Sequence, residues 1–127
     1  MSRDVIKTDS APAAIGPYSQ AIVANGFVFV AGQTGIIPGT ATFAEGGIQQ
    51  QTRQALENLK AILEAAGTSL DRVVKTTVFL QNLGDFSAMN EIYATYFSGN
   101  PPARSTVEVA KLPLSALVEI EAIALIA

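Results

Sequence analysis

The sequence predicts an α+β subunit of element order β-β-α-β-α-β-β, with two helices packed on one face of a mixed sheet. Three observations lead there. Asn25-Gly26 separates the apolar runs AIVA and FVFVA, and this pair is the strongest short-range hairpin signal because it suits a turn with two positive φ angles. Ile48, Thr52, Ala55, Leu56, Leu59, Ile62, Leu63 and Ala66 form a stripe of 3.6-residue period, the mark of an amphipathic helix. VVKTTVFL, rich in β-branched residues, is followed by a second helical pattern and then two more strand-like runs. Helices laid on one side of a sheet satisfy the requirement that each element bury its apolar face.

The elements follow in order. Residues 9–18, DSAPAAIGPY, are punctuated by Pro and Gly and predict an irregular lead-in. Residues 19–33 predict the hairpin, and 34–47 a Gly-rich loop. The first helix spans 48–66, with Gly67 as its C-terminal stop. A strand is predicted over 73–81. The second helix spans 86–97, with Asp85 as N-cap and Phe86, Met89, Ile92, Tyr93 and Tyr96 on one side. Pro101-Pro102 ends that region, and strands are predicted over 104–109 and 117–126. In the last strand Val118, Ile120, Ala122, Ala124 and Ile126 make an apolar face for the helices. The other face carries Leu117, Glu119, Glu121, Ile123 and Leu125 and is also partly apolar. Sheets buried on both faces give such runs. Two helices cover one face only, so the other is expected to meet further copies of the chain.

Composition narrows the function. The 127 residues have the size of one domain, expected to span 1–127. A chain of this mass keeps roughly 6,500 Å² exposed when folded, out of about 19,000 Å² unfolded, and needs no disulfide or metal to fold. There is no Cys and no His, which excludes thiolate metal sites, disulfides and every triad or dyad built on histidine. No spacing of acidic residues suits a metal. Net charge is −3 with eight Lys and Arg, which is not the electrostatic footprint of a nucleic-acid binder. The longest apolar run, 122–127, has six residues, far short of a membrane span. The N-terminus lacks a secretory h-region and there is no lipidation motif, so the expected location is the cytoplasm. Charged residues are only 15% of the chain, below the usual proportion of about 25%; homo-oligomerisation is the expectation.

Arg104 is the most informative charge. Period two puts Arg104, Thr106 and Glu108 on one strand face and Ser105, Val107 and Val109 on the other. The apolar set is expected in the core, and Arg104 on the face open to other subunits. Its guanidinium either closes a structural ion pair with Glu108, Glu119 or Glu121, or forms a fork for a small carboxylate. Glu119 and Glu121 share a face of the last strand; they are either solvated, or one of them orients a water. Tyr18 follows Gly16-Pro17 and is expected to cap the core from a turn. Gly32 interrupts a strand, the sign of a bulge or of close backbone approach to a ligand. Gly46-Gly47 lacks a phosphate-loop pattern and is read as a turn.

APAAIGPYSQA, VVKTTVFL, PPARSTVEVAKLP and VEIEA together resemble the Rid family, the reactive intermediate deaminases also called YjgF or L-PSP endoribonuclease-like proteins. The resemblance covers essentially the whole chain in order. It implies a chorismate-mutase-like trimer with a ligand cleft at each subunit interface. It further implies hydrolysis of 2-imino acids and their enamine tautomers, such as 2-aminoacrylate, to 2-oxo acids and ammonia without a cofactor. By position, Arg104 matches the arginine that grips the substrate carboxylate and Glu119 the acid that orients water. Tyr18, Gly32 and Asn90 match residues lining the cleft. Ala31 and Thr106 stand where many members have Ser and Cys, and both count as cleft positions. A non-catalytic trimeric sensor of 2-oxo acids is the alternative. A ribonuclease or translation inhibitor is disfavoured by the absence of histidine and of a basic, aromatic surface.

Overall fold

A single six-stranded sheet carries the structure, and its strand order fixes which residues share a face. The computed structural model describes residues 2–126. The strands are β1 (Asp4–Ile6), β2 (Ala21–Ala24), β3 (Phe27–Thr34), β4 (Val73–Leu80), β5 (Ala103–Glu108) and β6 (Val118–Leu125); the helices are α1 (Ile48–Ala65) and α2 (Phe86–Tyr96). The sheet order is β1-β2-β3-β6-β4-β5. All neighbours are antiparallel except β4 and β5, whose parallel connection runs through α2. The α+β class and the mixed sheet are as expected from the sequence. The strand β1 is an addition. Its three residues, Asp-Val-Ile, pair with β2 at the sheet edge and are too short to show a period.

The hairpin turns at Asn25 and Gly26, with φ of 52° and 83°, so the turn takes the two left-handed residues that the strand twist favours. Residues 34–47 are more ordered than a loop reading allows. Ile36 and Phe43 form a bridge, and Ala44 N–H donates to Gly35 O at 2.9 Å. Asp85 sits at the N-cap of α2 without a side-chain bond to it. The capping chemistry lies at Asn82, whose Oδ1 accepts from Gly84 N–H at 2.8 Å in the preceding 3₁₀ turn.

The core lies between the sheet and the helices. Leu56, Leu59, Ile62 and Leu63 of α1 are fully buried with Val28, Val78, Val118 and Ile120 of the sheet. The helix-facing side of β6 is therefore the one its even positions predict. The opposite face has no helix over it. Phe29 remains 44% exposed and Leu125 37%, with Phe27, Phe79 and Ile123 partly buried beside them. The chain exposes 6771 Å², close to the scaling expectation for an isolated chain.

Three buried carboxamides complete the frame. Asn58, on α1, donates from Nδ2 to Thr34 O at 3.1 Å and Ile36 O at 2.8 Å, and accepts from Gln54 Nε2 at 2.9 Å. Gln51 Oε1 accepts from Leu117 N–H at 2.9 Å. Gln20 Nε2 donates to Thr8 O at 3.1 Å and Pro12 O at 2.8 Å, while its Oε1 accepts from Thr8 N–H at 2.8 Å. Each ties down backbone at a strand end or in the segments beside the strands. Asn58→Leu leaves the Thr34 and Ile36 carbonyls without their donor and is expected to cost about 1–3 kcal/mol. Urea unfolding at fixed protomer concentration checks this; an unchanged midpoint contradicts it.

Candidate active site

The sheet register separates the expected site residues into two groups. Arg104 pairs across the ladder with Thr76 of β4, and Glu119 pairs with Phe79 of the same strand. Positions 76 and 79 differ by an odd number, so their side chains leave opposite faces of the sheet. Thr76 faces the helices, since its Oγ1 lies 2.7 Å from Tyr93 Oη of α2. Arg104 shares that face and Glu119 points to the open one.

This corrects the sequence reading of β5 in two respects. Arg104 is on the helix side, not the open side. Val107, expected in the core, is 43% exposed on the open face. The period was sound, but β5 is an edge strand beyond the reach of α1, so an apolar side chain there does not mark the core. The ion-pair alternative is excluded as well. Among the described residues no carboxylate lies within 4.0 Å of the guanidinium. Glu108 is engaged elsewhere, its Oε1 accepting from Leu83 N–H at 2.8 Å.

The Arg104 side is a cleft of about 360 Å³ lined by Asn90, Tyr93, Phe97, Pro102 and Arg104 among others. Phe86, Asn90 and Tyr93 stand on one face of α2 through their spacing. The guanidinium carbon lies 4.6 Å from the ring centre of Tyr93 and 5.5 Å from that of Phe86. Burial pushes the Tyr93 phenol up, partly offset by its bond to Thr76 and by the Arg104 charge. Thr106 lies two residues along on the same sheet face as Arg104, partly buried, and does not line the cleft.

The Glu119 side is a larger cleft of about 570 Å³, where Tyr18, Ala31, Gly32, Ile36, Leu114 and Glu119 meet. Between Val30 and Gln33 the β3–β6 register shifts. Val30 faces Ala122 and Gln33 faces Ile120, so β3 carries one extra residue there: a bulge at Ala31-Gly32. The bulge expected at Gly32 is present, and the Glu119 side chain lies across the glycine. A Cβ at Gly32 would stand 2.8 Å from Glu119 Cδ and 2.9 Å from its Cγ. Burial, followed by repulsion from Glu121, raises the Glu119 carboxyl above its ordinary value. Tyr18 is 51% exposed and does not cap the core. Its Oη accepts from Ile15 N–H at 3.3 Å, and the lead-in that carries it is held by Gln20. Leu114 and Ser115 both adopt left-handed backbone, with φ of 56° and 63°, a strained pair at the cleft rim.

The structure thus groups Arg104 with Asn90, and Glu119 with Tyr18, Ala31 and Gly32. It does not bring the two groups together within one chain. Sequence reasoning missed Phe86, Tyr93 and Gln20 as site-building residues. The first two were visible only as the apolar side of a helix, and their spacing around Asn90 was the available signal.

Glu119 gives a stability prediction. Its raised pKa means that the folded chain holds the proton more tightly than the unfolded chain. The favourable contribution is complete below the ordinary carboxylate pKa and is lost as pH rises through the folded value. Glu119→Gln removes that loss, so the variant is expected to gain on the wild type between about pH 4 and pH 7. Thermal unfolding at both pH values measures it, and a difference that stays constant contradicts it.

Residues 8–126 match the family model described as Endoribonuclease L-PSP. A RutC family protein of Pyrococcus horikoshii is 57% identical over 122 residues, covering 96% of this chain and 97% of that protein. The 2-iminobutanoate/2-iminopropanoate deaminase of Mus musculus is 51% identical over 122 residues, covering 96% of this chain and 90% of that protein. The crystal structure of E. coli TdcF with bound serine matches with a TM-score of 0.91 at 43% identity, over 96% of this chain and 98% of that one. With a family model spanning nearly its whole length and relatives above half identity, the chain belongs to the endoribonuclease L-PSP family, the Rid proteins that its sequence resembles.

Proposed function

We propose that the protein is a hydrolytic deaminase that converts small 2-imino acids and their enamine tautomers to 2-oxo acids and ammonia. The observation that carries this reading is Arg104: a partly buried guanidinium in a cleft, with no carboxylate partner among the described residues and its charge placed over two aromatic rings. Its in-plane N–H groups suit the two oxygens of a carboxylate. The mouse relative named as a 2-iminobutanoate/2-iminopropanoate deaminase supports the substrate class.

The chemistry asks little of the protein. The carbon of a protonated imine is already electrophilic. Water adds to C2, the carbinolamine forms, and its nitrogen leaves as ammonia while the C–O bond becomes the 2-oxo group. In this reading Arg104 holds the carboxylate, and Asn90 lines the same wall. Glu119 accepts a proton from the attacking water and returns it to the departing nitrogen. Its raised pKa brings it closer to the neutral range where an acid–base group works best. Orientation of water against a held carboxylate supplies several kcal/mol of the barrier.

The reading also includes a homotrimer. Arg104 and Glu119 leave opposite faces of the sheet, so one chain holds two half-clefts. Three copies that close their open sheet faces around an axis bury Phe29, Val107 and Leu125 and set the Arg104 cleft of one copy against the Glu119 cleft of the next. A heterologous interface of this kind closes into a ring.

Arg104→Ala is expected to lower kcat/KM for 2-iminopropanoate, generated in situ by an amino-acid oxidase, by more than about a hundredfold, the loss of a fork of two charge-assisted bonds. Wild-type clearance by the variant contradicts the assignment. A 2-oxobutanoate titration on the same samples separates an enzyme from a sensor, since a sensor binds without speeding ammonia release. Sedimentation at micromolar concentration is expected to give the mass of three chains; a monomer contradicts the shared site.

A further inference from the structure

We propose that Phe86 and Tyr93 are positioning residues for Arg104: their ring faces carry the guanidinium so that its N–H fork stays open to a ligand carboxylate. The proposal rests on the reading of Arg104 as the carboxylate grip.

A cation taken partly out of water needs compensation. The common solution is a carboxylate, but that partner occupies the same N–H groups that a ligand must use. A ring face attracts the cation through its quadrupole and leaves the in-plane donors unspent. At Arg104 the ring centres lie 4.6 Å and 5.5 Å from the guanidinium carbon, within the range of about 6 Å where this attraction acts.

The inner ring is fixed from two sides. Tyr93 is buried, its Oη is 2.7 Å from Thr76 Oγ1, and its ring lies against Phe97 with centres 4.6 Å apart. Thr76 is the residue that faces Arg104 across the β4–β5 ladder. The contacts therefore close a circuit: Arg104 on β5, the Tyr93 ring on α2, its hydroxyl on Thr76 of β4, and the ladder back to Arg104. The outer ring, Phe86, begins α2 seven residues earlier and is 37% exposed. An apolar ring left that open at a helix start has little core to fill, and its contact with the guanidinium explains its place.

Phe86→Leu removes the outer ring at an exposed position where the fold tolerates it. Clearance of 2-iminopropanoate is expected to show KM raised about three- to tenfold with kcat within about twofold, the range for one partly exposed ring–cation contact. Phe86→Tyr, which restores the ring, is expected to return KM to the wild-type value. Tyr93→Leu is expected to raise KM further, with Tyr93→Phe recovering most of the loss; should Tyr93→Leu not fold, the Phe86 pair decides. An unchanged KM in Phe86→Leu, or a Phe86→Tyr variant no better than Phe86→Leu, overturns the proposal. With Arg104→Ala inactive, that outcome leaves the deaminase reading standing. Wild-type activity in Arg104→Ala overturns both.

Discussion

Alternation of side chains along a strand is the constraint on which everything else in this molecule depends. Arg104 and Glu119 are joined through one intervening strand, β4, at residues three apart. No rotamer carries a side chain through a sheet, so a single chain cannot place its cation and its carboxylate around one small molecule. Either the two groups have separate roles, or a second copy supplies the missing half. The uncovered sheet face, with its row of aromatic and branched side chains, gives the second copy somewhere to sit.

The two half-sites handle charge in opposite ways. Arg104 is compensated by ring faces in place of a carboxylate among the described residues. Glu119 is compensated poorly: it is folded over Gly32, desolvated, and pressed by Glu121, so its proton is held more tightly than usual. A cation without a carboxylate partner and a carboxyl whose proton is held more tightly than usual are both costly to keep. In the proposed trimer the two face each other, and their charges are complementary. The walls on the Glu119 side are held by neutral carboxamides, Gln20, Gln51 and Asn58, which order backbone without adding charge there.

Much of the fold was legible because its signals are local. The Asn25-Gly26 turn, the α1 stripe and the even face of β6 follow from residue type and period, and the structure places them within a residue or two of expectation. Gly32 was legible for a similar reason, since a glycine inside a strand pattern has few explanations. The errors are non-local. The face of β5 depends on where the sheet ends and how far α1 reaches, which no period reveals. The strand β1 is visible only from its partner β2. The burial of Gln51 and Asn58 depends on the loop carbonyls and strand amide they serve. The role of Phe86 and Tyr93 appears only when β5 is laid beside α2.

In the proposed trimer each site draws Arg104 from one copy and Glu119 from another. The most direct measurement mixes two inactive variants, Arg104→Ala and Glu119→Gln, by joint refolding or co-expression, and assays imine clearance. In randomly assorted closed trimers roughly a quarter of the sites regain both native groups, and activity is predicted to return to that level. Activity that stays at the level of the separate variants, in mixtures shown to contain hybrid oligomers, contradicts the claim.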